Sequence, residues 1–344
     1  MSDFNSIDIK SCSSQIELEN IVGENNGLNV FFSKNYFQFC NCKYVYLYST
    51  DFVIPVILNQ NGPFRNVAFL SEPYRYGFKE ESEESFINSV VEYIKNNYSV
   101  QWIAETPAYA LFTVAPERAL SIPFGSHIVD LSNDVDTLWS NVHGKHRNVI
   151  KKAEKEGVQI VKGNSEKVLN DYHSIDVETW ERSNIKASGI DHLKEMVAKL
   201  GENVIFYMAY KDGLPQAGAI FYYNKAMCYY MHGASCNNSF TGSSNLLHWV
   251  AMQDMKMAGV KKYSYVGARI DEDTNSKYHG IQRFKERFGG ELFVGKRFKV
   301  IFNPLMYMLF KLLVSIKQSV HNRKWRWYKD SIDMELPKWK TKNR

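Results

Sequence analysis

Val204-Ile-Phe-Tyr-Met-Ala-Tyr-Lys-Asp-Gly-Leu-Pro-Gln-Ala-Gly-Ala-Ile-Phe-Tyr-Tyr-Asn-Lys-Ala-Met-Cys-Tyr-Tyr-Met-His232 contains three runs of β-branched and aromatic residues, separated by the turn signals Lys211-Asp-Gly213 and Asn224-Lys225. Runs of this length and composition read as strands, and tight turns between them make an antiparallel meander. Before the meander, helical periodicity occupies 165–181 and 190–200. After it, a Gly- and Ser-bearing stretch at 233–244 leads into a helix at 245–258, which Gly259 ends, and a strand follows at 262–266. Helix, meander, loop, helix, strand is α+β order with a mixed sheet, not a doubly wound parallel one.

Working outward, Asp134-Val-Asp-Thr-Leu-Trp-Ser140 opens this region. Gly144-Lys-His-Arg-Asn-Val-Ile-Lys-Lys-Ala-Glu-Lys-Glu-Gly157 continues it as a helix closed by glycine, with a strand after it. Nearer the N-terminus, 43–49 and 52–58 read as strands before the turn Asn61-Gly62-Pro63. Acidic residues at 80–84 start a helix whose inner stripe is Phe86, Val90, Tyr93 and Ile94, and strands are expected near 100–104 and 126–131. Three regions result: an N-terminal domain at 1–128, a second domain at 129–302 and a C-terminal segment at 303–344.

A chain of 344 residues is long enough for two domains with separate cores, and 44% hydrophobic with 23% charged residues are globular values that exclude extensive disorder. The five cysteines, Cys12, Cys40, Cys42, Cys228 and Cys236, are odd in number and form no C-x-x-C pair, so neither a disulfide framework nor a zinc site is signalled and no metal is expected. The first residues have no basic start and no apolar core of the kind that directs export, so a cytoplasmic location is expected.

Residues 317–344 carry nine Lys/Arg against three Asp/Glu, so the net charge of +5 belongs to this tail and the rest of the chain is near neutral. A nucleic-acid binder would spread positive charge over a face, so DNA is not an expected partner. The apolar segment before the tail, interrupted by Lys311, is too short for a bilayer that needs about 20 apolar residues. Coiled as a helix it puts Leu305, Leu309, Leu312, Ile316 and Val320 on one stripe, and Lys311, Ser315, Gln318 and Asn322 on a narrow polar stripe across from it. Two readings stand: a C-terminal core helix, or an amphipathic interfacial helix whose basic aromatic tail meets an anionic membrane surface at the inner face of the cytoplasmic membrane.

Leu138-Trp139, Lys145-His-Arg147, Lys151-Lys-Ala153 and Gly157-Val158 resemble the opening of the second domain of FemABX-type transferases. Met208-Ala-Tyr-Lys-Asp-Gly213, Tyr229-Tyr-Met-His-Gly-Ala-Ser235, Leu246-Leu-His-Trp249 and Phe284-Lys-Glu-Arg-Phe-Gly-Gly290 keep the family's order over about 150 residues. The resemblance implies tandem acetyltransferase-like (GNAT-like) domains that move an activated acyl or aminoacyl group to an amine of a peptidoglycan or polysaccharide precursor, nucleotide- or lipid-linked. Acyl-CoA is the expected donor and aminoacyl-tRNA the alternative. Two departures bear on this: relatives often read Tyr-Asp-Phe-Gly-Gly where this chain has Tyr263-Ser-Tyr-Val-Gly267, and the long helical hairpin that some relatives carry has no room between Gly157 and Gly233. P-loop, Rossmann, H-E-x-x-H and G-x-S-x-G motifs are absent, which removes support for NTP, nicotinamide, zinc-protease and serine-hydrolase chemistry.

Ile281, Phe284, Lys285 and Phe288 fall on one helical face, while Arg283, Glu286 and Arg287 fall on the other. A lysine within an apolar stripe reads either as a stem along the core with its ammonium in water, or as a fixed cation for a carbonyl oxygen that gains charge. In FemABX-type enzymes the matching Phe-Lys pair is regarded as part of the active site, which makes Lys285 a candidate for carbonyl stabilisation and Phe284 for shaping the pocket. A solvated tip at Lys285 would leave stability nearly unchanged in Lys285→Ala. Gly242, Ser243, Ser244 and Asn245 open a helix and are candidates for the donor's phosphates, or simply cap it. Lys145, Arg147 and Arg269 are candidates for acceptor phosphate or carboxylate, Tyr229 or Tyr230 for lining the cleft, and His232, His248 and His279 read as core or surface imidazoles. A non-catalytic binding module on the same fold would lack the Phe284-Lys285 pair.

Overall fold

The computed structural model describes residues 7–23, 27–182, 187–270, 277–322 and 325–342. The chain divides into two compact units, one made of Met1–Asn25, Asn41–Gly125 and Val294–Arg344, the other of Asn26–Cys40 and Ser126–Phe293. One seam falls between Gly125 and Ser126. Residues after 293 return to the first unit instead of standing apart, and 26–40 belongs to the second.

In chain order the elements begin with β1 (Lys10–Cys12), α1 (Gln15–Val22), α2 (Lys34–Cys40), β2 (Lys43–Tyr48), β3 (Phe52–Asn61), β4 (Phe64–Phe69), β5 (Tyr74–Arg75), α3 (Glu83–Asn97), β6 (Trp102–Ile103) and β7 (Leu120–Asp130). They continue with α4 (Val135–Asn141), α5 (Gly144–Lys155), β8 (Gln159–Gly163), α6 (Glu166–Glu181), α7 (Ile190–Leu200), β9 (Val204–Lys211), β10 (Leu214–Tyr223), β11 (Met227–Ser235) and α8 (Ser243–Met257). The last are β12 (Lys262–Ser264), β13 (Ala268–Arg269), α9 (Lys277–Glu286), β14 (Glu291–Ile301), α10 (Pro304–Asn322) and α11 (Ser331–Lys342).

The sheet of the first unit runs β1-β2-β3-β4-β6-β14. Only β4 and β6 pair in parallel. Ser82 caps α3 by accepting from the Ser85 N–H, with Glu83 and Glu84 at the favourable end of the helix dipole. Phe86, Ile87, Val90 and Ile94 of that helix are fully buried in a cluster with Phe69, Phe112 and Phe298. Apolar contact and charge both draw the C-terminal segment into this unit: Tyr307 and Phe310 of α10 meet Trp102 at 5.4 and 4.9 Å, and Phe310 meets Phe64 at 5.5 Å. Lys299, 1% exposed, donates to Asp330 Oδ2 (2.6 Å), Asp333 Oδ1 (2.6 Å) and Tyr307 Oη (3.1 Å), and Lys311 reaches Asp333 Oδ2 at 2.7 Å. Burial alone would raise the Asp333 carboxyl, but the hydrogen bonds from Lys299 and Lys311 outweigh it and hold the pKa below the usual value.

The second unit's sheet runs β7-β12-β11-β10-β9-β8, mixed because β11 and β12 alone are parallel. At the β9–β10 turn Asp212 and Gly213 both take positive φ (52° and 76°), the requirement that makes Asp-Gly a hairpin signal. Helices α5 and α8 cover one face, where Ile150, Ala153, Leu246, Leu247 and Met255 pack on Tyr207, Phe221 and Cys228. On the opposite face, Tyr172 of α6 meets Phe206 edge-on at 5.2 Å, and Phe31 meets Tyr229 at 4.8 Å.

Candidate active site

The hairpin β10–β11 is regular up to Ile220/Phe221. There the register shifts, pairing Ile220 with His232 and Phe221 with Tyr230, so Met231 is an extra residue in β11. On its other edge β11 pairs with β12 only from Met227 to Tyr229, opposite Lys262 to Ser264. β11 then runs on to Ser235 while β12 has ended, so two parallel strands part and leave a gap in the sheet. Ser235 is tied instead to α6, its N–H donating to Thr179 Oγ1 (2.9 Å) and its carbonyl accepting from Arg182 (3.0 Å).

A cavity of about 150 Å³ occupies this region, lined by Ala217, Gly218 and Ala219 of β10, Tyr230 and residues 233–235 of β11, Thr179, and Ser244, Leu247 and His248 of α8. Two of the lining residues are glycines that their neighbours require. A methyl on Gly218 would lie 2.7 Å from both Met208 Sδ and Tyr172 Cδ2, and one on Gly233 would lie 1.7 Å from Tyr230 Oη. The N-terminus of α8 also depends on glycine. Gly242 has φ 96°, and a Cβ there would lie 2.4 Å from the Val149 carbonyl oxygen, so α8 can press onto α5 only with glycine at that position. Ser243 is buried with its hydroxyl unpartnered, Ser244 lines the cavity, and Asn245 is half-buried on the same turn.

Beyond β12 the chain turns through Val266 (φ 43°) and Gly267 (φ 67°). A β-branched residue in the left-handed region is strained, so the turn at Val266 is held by its surroundings. The turn aims two successive carbonyls at one side chain. Lys285 Nζ donates to the Val266 carbonyl and, at 2.8 Å, to that of Gly267. Lys285 is only 9% exposed, and burial lowers its pKa from 10.5 to about 8. The solvated tip is thus corrected: a lysine stem this close to the core cannot lift its ammonium into water, so backbone carbonyls solvate it.

An aromatic box borders the cavity through Tyr230 and His248 and lies within electrostatic reach of Lys285. His248, 2% exposed, has ring centroids of Tyr230 at 4.5 Å, Tyr265 at 5.2 Å, Phe288 at 5.5 Å and Phe284 at 5.6 Å, and its Nδ1 shares a 2.7 Å hydrogen bond with Tyr263 Oη. Burial first, then the charge of Lys285 and the nearby His146, lowers the His248 pKa to about 3. His146, against Phe288 at 4.7 Å, is lowered to about 4 by burial and by Arg287 and His143. Tyr230 is raised to about 12 by burial.

Of the residues singled out in the sequence, Tyr230 and Ser244 line this cavity, Phe284 meets it only through the ring of His248, and Lys285, Gly242, Ser243 and Asn245 lie outside its lining. Tyr229 points away. Successive strand residues face opposite sides, and its ring packs on Phe31. Arg147 spends one nitrogen on the carbonyls of Trp139 (3.2 Å) and Ser140 (2.7 Å), holding the end of α4, while Lys145 is exposed. Arg269 is half-buried at the end of β13, its carbonyl accepting from Gln282. His248 and Thr179 were not singled out for the site. A histidine among Leu246, Leu247 and Trp249 reads as core from the sequence, and it is core, but it also forms a wall of the cavity. Ser264 is buried, its hydroxyl 3.0 Å from that of Ser126.

A larger cleft, about 760 Å³, lies in the first unit along α3, but Asp8, Glu92, Lys95 and Arg118 there mix both charges and no parted strands or helix N-terminus meet in it. Volume alone does not locate chemistry. Among the described residues no group of His, Cys, Asp and Glu could hold a metal ion.

The parted β11–β12 pair, the α8 N-terminus at the gap and the tandem of α+β units define a GNAT-like transferase fold. The FemAB family model matches residues 108–213 and 209–315, together more than half of the chain, and the chain belongs to that family of transferases. The crystal structure of FemX is similar at 12% identity and TM-score 0.64, covering 87% of this chain and 99% of that one. The C-terminal domain of an Agrobacterium fabrum protein named as a lysylphosphatidylglycerol synthetase is 13% identical (TM-score 0.55, 89% and 98% covered). L-PGS from Bacillus licheniformis is likewise 13% identical (TM-score 0.51, 88% and 95%). At these identities the likeness is one of fold. No curated protein sequence matches the chain.

Proposed function

We propose that the protein forms an amide by transferring an activated acyl group to an amine of a cell-surface polysaccharide or peptidoglycan precursor. The observation that carries this reading is Lys285, a buried ammonium oriented by the Val266 and Gly267 carbonyls next to a gap between parted strands. In the reaction the amine nitrogen attacks the acyl carbon, a C–N bond forms, the C–S or C–O bond to the donor breaks, and the donor leaves as thiol or hydroxyl with the proton that the amine sheds. Negative charge builds on the carbonyl oxygen. A fixed cation in a water-poor site stabilises that charge by about 3–4 kcal/mol. Two of the three ammonium protons are engaged by the turn, which leaves one for the oxygen.

The cavity supports a donor that inserts only its reactive end, since about 150 Å³ is below the ~300–1,000 Å³ of pockets that enclose whole ligands. Ser243, Ser244 and Asn245, on the helix N-terminus beside it, suit the phosphates of acyl-CoA. Membership of the FemAB family favours the second reading, an aminoacyl-tRNA donor. On either reading Tyr230 and Phe284 shape the pocket, and Arg269 and Lys145 are the cations offered to a nucleotide- or lipid-linked acceptor. The cytoplasm is where both donors are made.

Thermal unfolding with each donor tests the choice, because a ligand that binds only the native state raises Tm by mass action. Acyl-CoA should raise it, while ATP and NAD should not. A shift with charged tRNA and none with any CoA ester would select the second donor, and loss of neither signal nor turnover in Lys285→Met would remove the lysine from the mechanism.

A further inference from the structure

Helix α10 packs one face on the protein and leaves a second, apolar face outside. Ser315 is fully buried, accepting from the Tyr328 N–H (2.7 Å) and donating to the Lys311 carbonyl (2.6 Å), while Lys311 reaches inward to Asp333. Tyr307 and Phe310 pack on the same side, against Trp102 and Phe64, so the inward face is mixed in character and Gln318 of the polar stripe stays exposed. Leu305, Leu309, Leu312, Leu313, Ile316 and Val320 are 37% to 81% exposed, at spacings of three and four that place them on one outward face. A contiguous apolar face of this size is uncommon on a soluble surface unless something covers it.

Charge identifies the cover. Residues 317–344 hold nine cations and three carboxylates, and two of those carboxylates, Asp330 and Asp333, are turned inward onto Lys299 and Lys311. Lys317, Arg326 and Lys329 stay exposed, with Trp325 (56%) and Trp327 (39%) among them. The outward surface is therefore an apolar stripe bordered by cations and tryptophans, with the acids withdrawn. A second copy of the chain would bring like charge against like charge. An anionic bilayer matches every part: lipid headgroups take the cations, the tryptophans sit at headgroup depth, and the leucines enter the acyl boundary. No described helix is long and apolar enough to cross a membrane, so contact is in the plane of the surface.

We propose that α10, together with residues 325–329, docks the protein reversibly on an anionic lipid surface, with α10 lying parallel to it. Vesicle binding needs neither donor nor acceptor, so the proposal stands or falls apart from the transfer reaction. The test is co-sedimentation of the full chain with phosphatidylcholine vesicles with and without phosphatidylglycerol, at low and high salt. Binding should require phosphatidylglycerol and weaken with salt. Lys317→Gln and Arg326→Gln should each reduce partitioning about fivefold. Leu309→Gln with Leu312→Gln, both exposed and so expected to leave Tm unchanged, should reduce it more than about tenfold. Failure to sediment with phosphatidylglycerol vesicles at low salt overturns the proposal. So does a stable dimer in analytical ultracentrifugation that the double leucine variant dissolves, since the face would then belong to a second copy.

Discussion

Lys285→Met replaces the buried ammonium by an unbranched apolar side chain of similar length, and its consequences can be worked from the site. Burial lowers the lysine pKa from 10.5 to about 8, so the charged form loses about 3 kcal/mol on folding, a penalty that methionine does not carry. Against that relief, the variant loses the hydrogen bonds to the Val266 and Gly267 carbonyls, about 1.5–3 kcal/mol each for a charged donor. The two nearly offset, giving a net loss of about 0–3 kcal/mol. Turnover should fall by about 10²–10³, as when a donor to a developing oxyanion is removed.

The pH dependence is more discriminating. Between about 8 and 10.5 the unfolded chain holds a proton on Lys285 that the native protein has released, so the lysine's contribution to stability rises with pH across that window. Wild type should therefore gain on the variant by up to about 3 kcal/mol between pH 7.5 and 10.5, read as the difference between their urea midpoints, while tyrosine ionisation cancels between them. Because the ammonium is the active form, wild-type turnover should decline above about pH 8. A variant that keeps its turnover, or an activity that climbs through pH 8 and stays high, would sink the oxyanion role. A stability gap that does not change with pH would sink the burial argument.

Gly233→Ala puts a methyl where Tyr230 Oη now lies and forces the ring to move, so the KM for the acyl donor should rise at least about tenfold with little change in Tm; an unchanged KM would mean that Tyr230 does not line the donor's path. His248, depressed to about 3, is protonated in the unfolded chain but not in the native one between about pH 3 and 6.5, so it favours unfolding as pH falls through that window. His248→Phe should accordingly lose less stability than wild type between pH 7 and 4.5, and equal losses in urea titrations would contradict the burial of the imidazole. Lys299→Met strands Asp330 and Asp333 beside a single remaining cation, Lys311, and should cost about 3–5 kcal/mol by calorimetry, an effect that a solvated ion pair would not produce.

The meander was legible because its signals are local: Asp212-Gly213 permits the positive φ of the hairpin, and the flanking runs admit little besides strand. Helix α9's stripe was legible for the same reason, since periodicity alone puts Lys285 among Phe284 and Phe288. Its acceptors were not, because the Val266 and Gly267 carbonyls lie 19 and 18 residues earlier and reach it only through the fold. Between Tyr229 and Tyr230, alternation guarantees that only one faces the gap, but the strand is covered on both sides and composition cannot say which. Strand β14 was missed altogether. Lys299 interrupts its apolar run and reads as a polar break, yet it is buried because Asp330 and Asp333 come back to it from more than thirty residues away. Likewise 26–40 joins the second unit through contacts such as Phe31 with Tyr229, which no local pattern announces.

Proton affinities around the gap separate the roles that amide formation needs. An attacking amine must be neutral, and a side chain takes its proton efficiently only when its own pKa lies near the working pH. His248 at about 3 is too weak a base, and Tyr230 at about 12 stays protonated. Among the described residues, no titratable side chain besides these two lines the cavity. Lys285 at about 8 has the right affinity, but its ammonium is held by two carbonyls that stabilise the charged form geometrically, which suits a cation and not a base. The same cation helps keep His248 neutral, so the box next to the cavity stays apolar and the field of the lysine is little screened. The acceptor amine should then arrive unprotonated or shed its proton to the departing donor. Rate should rise as the acceptor deprotonates and fall as Lys285 does, a bell whose acid limb moves with the acceptor while its alkaline limb stays with the protein.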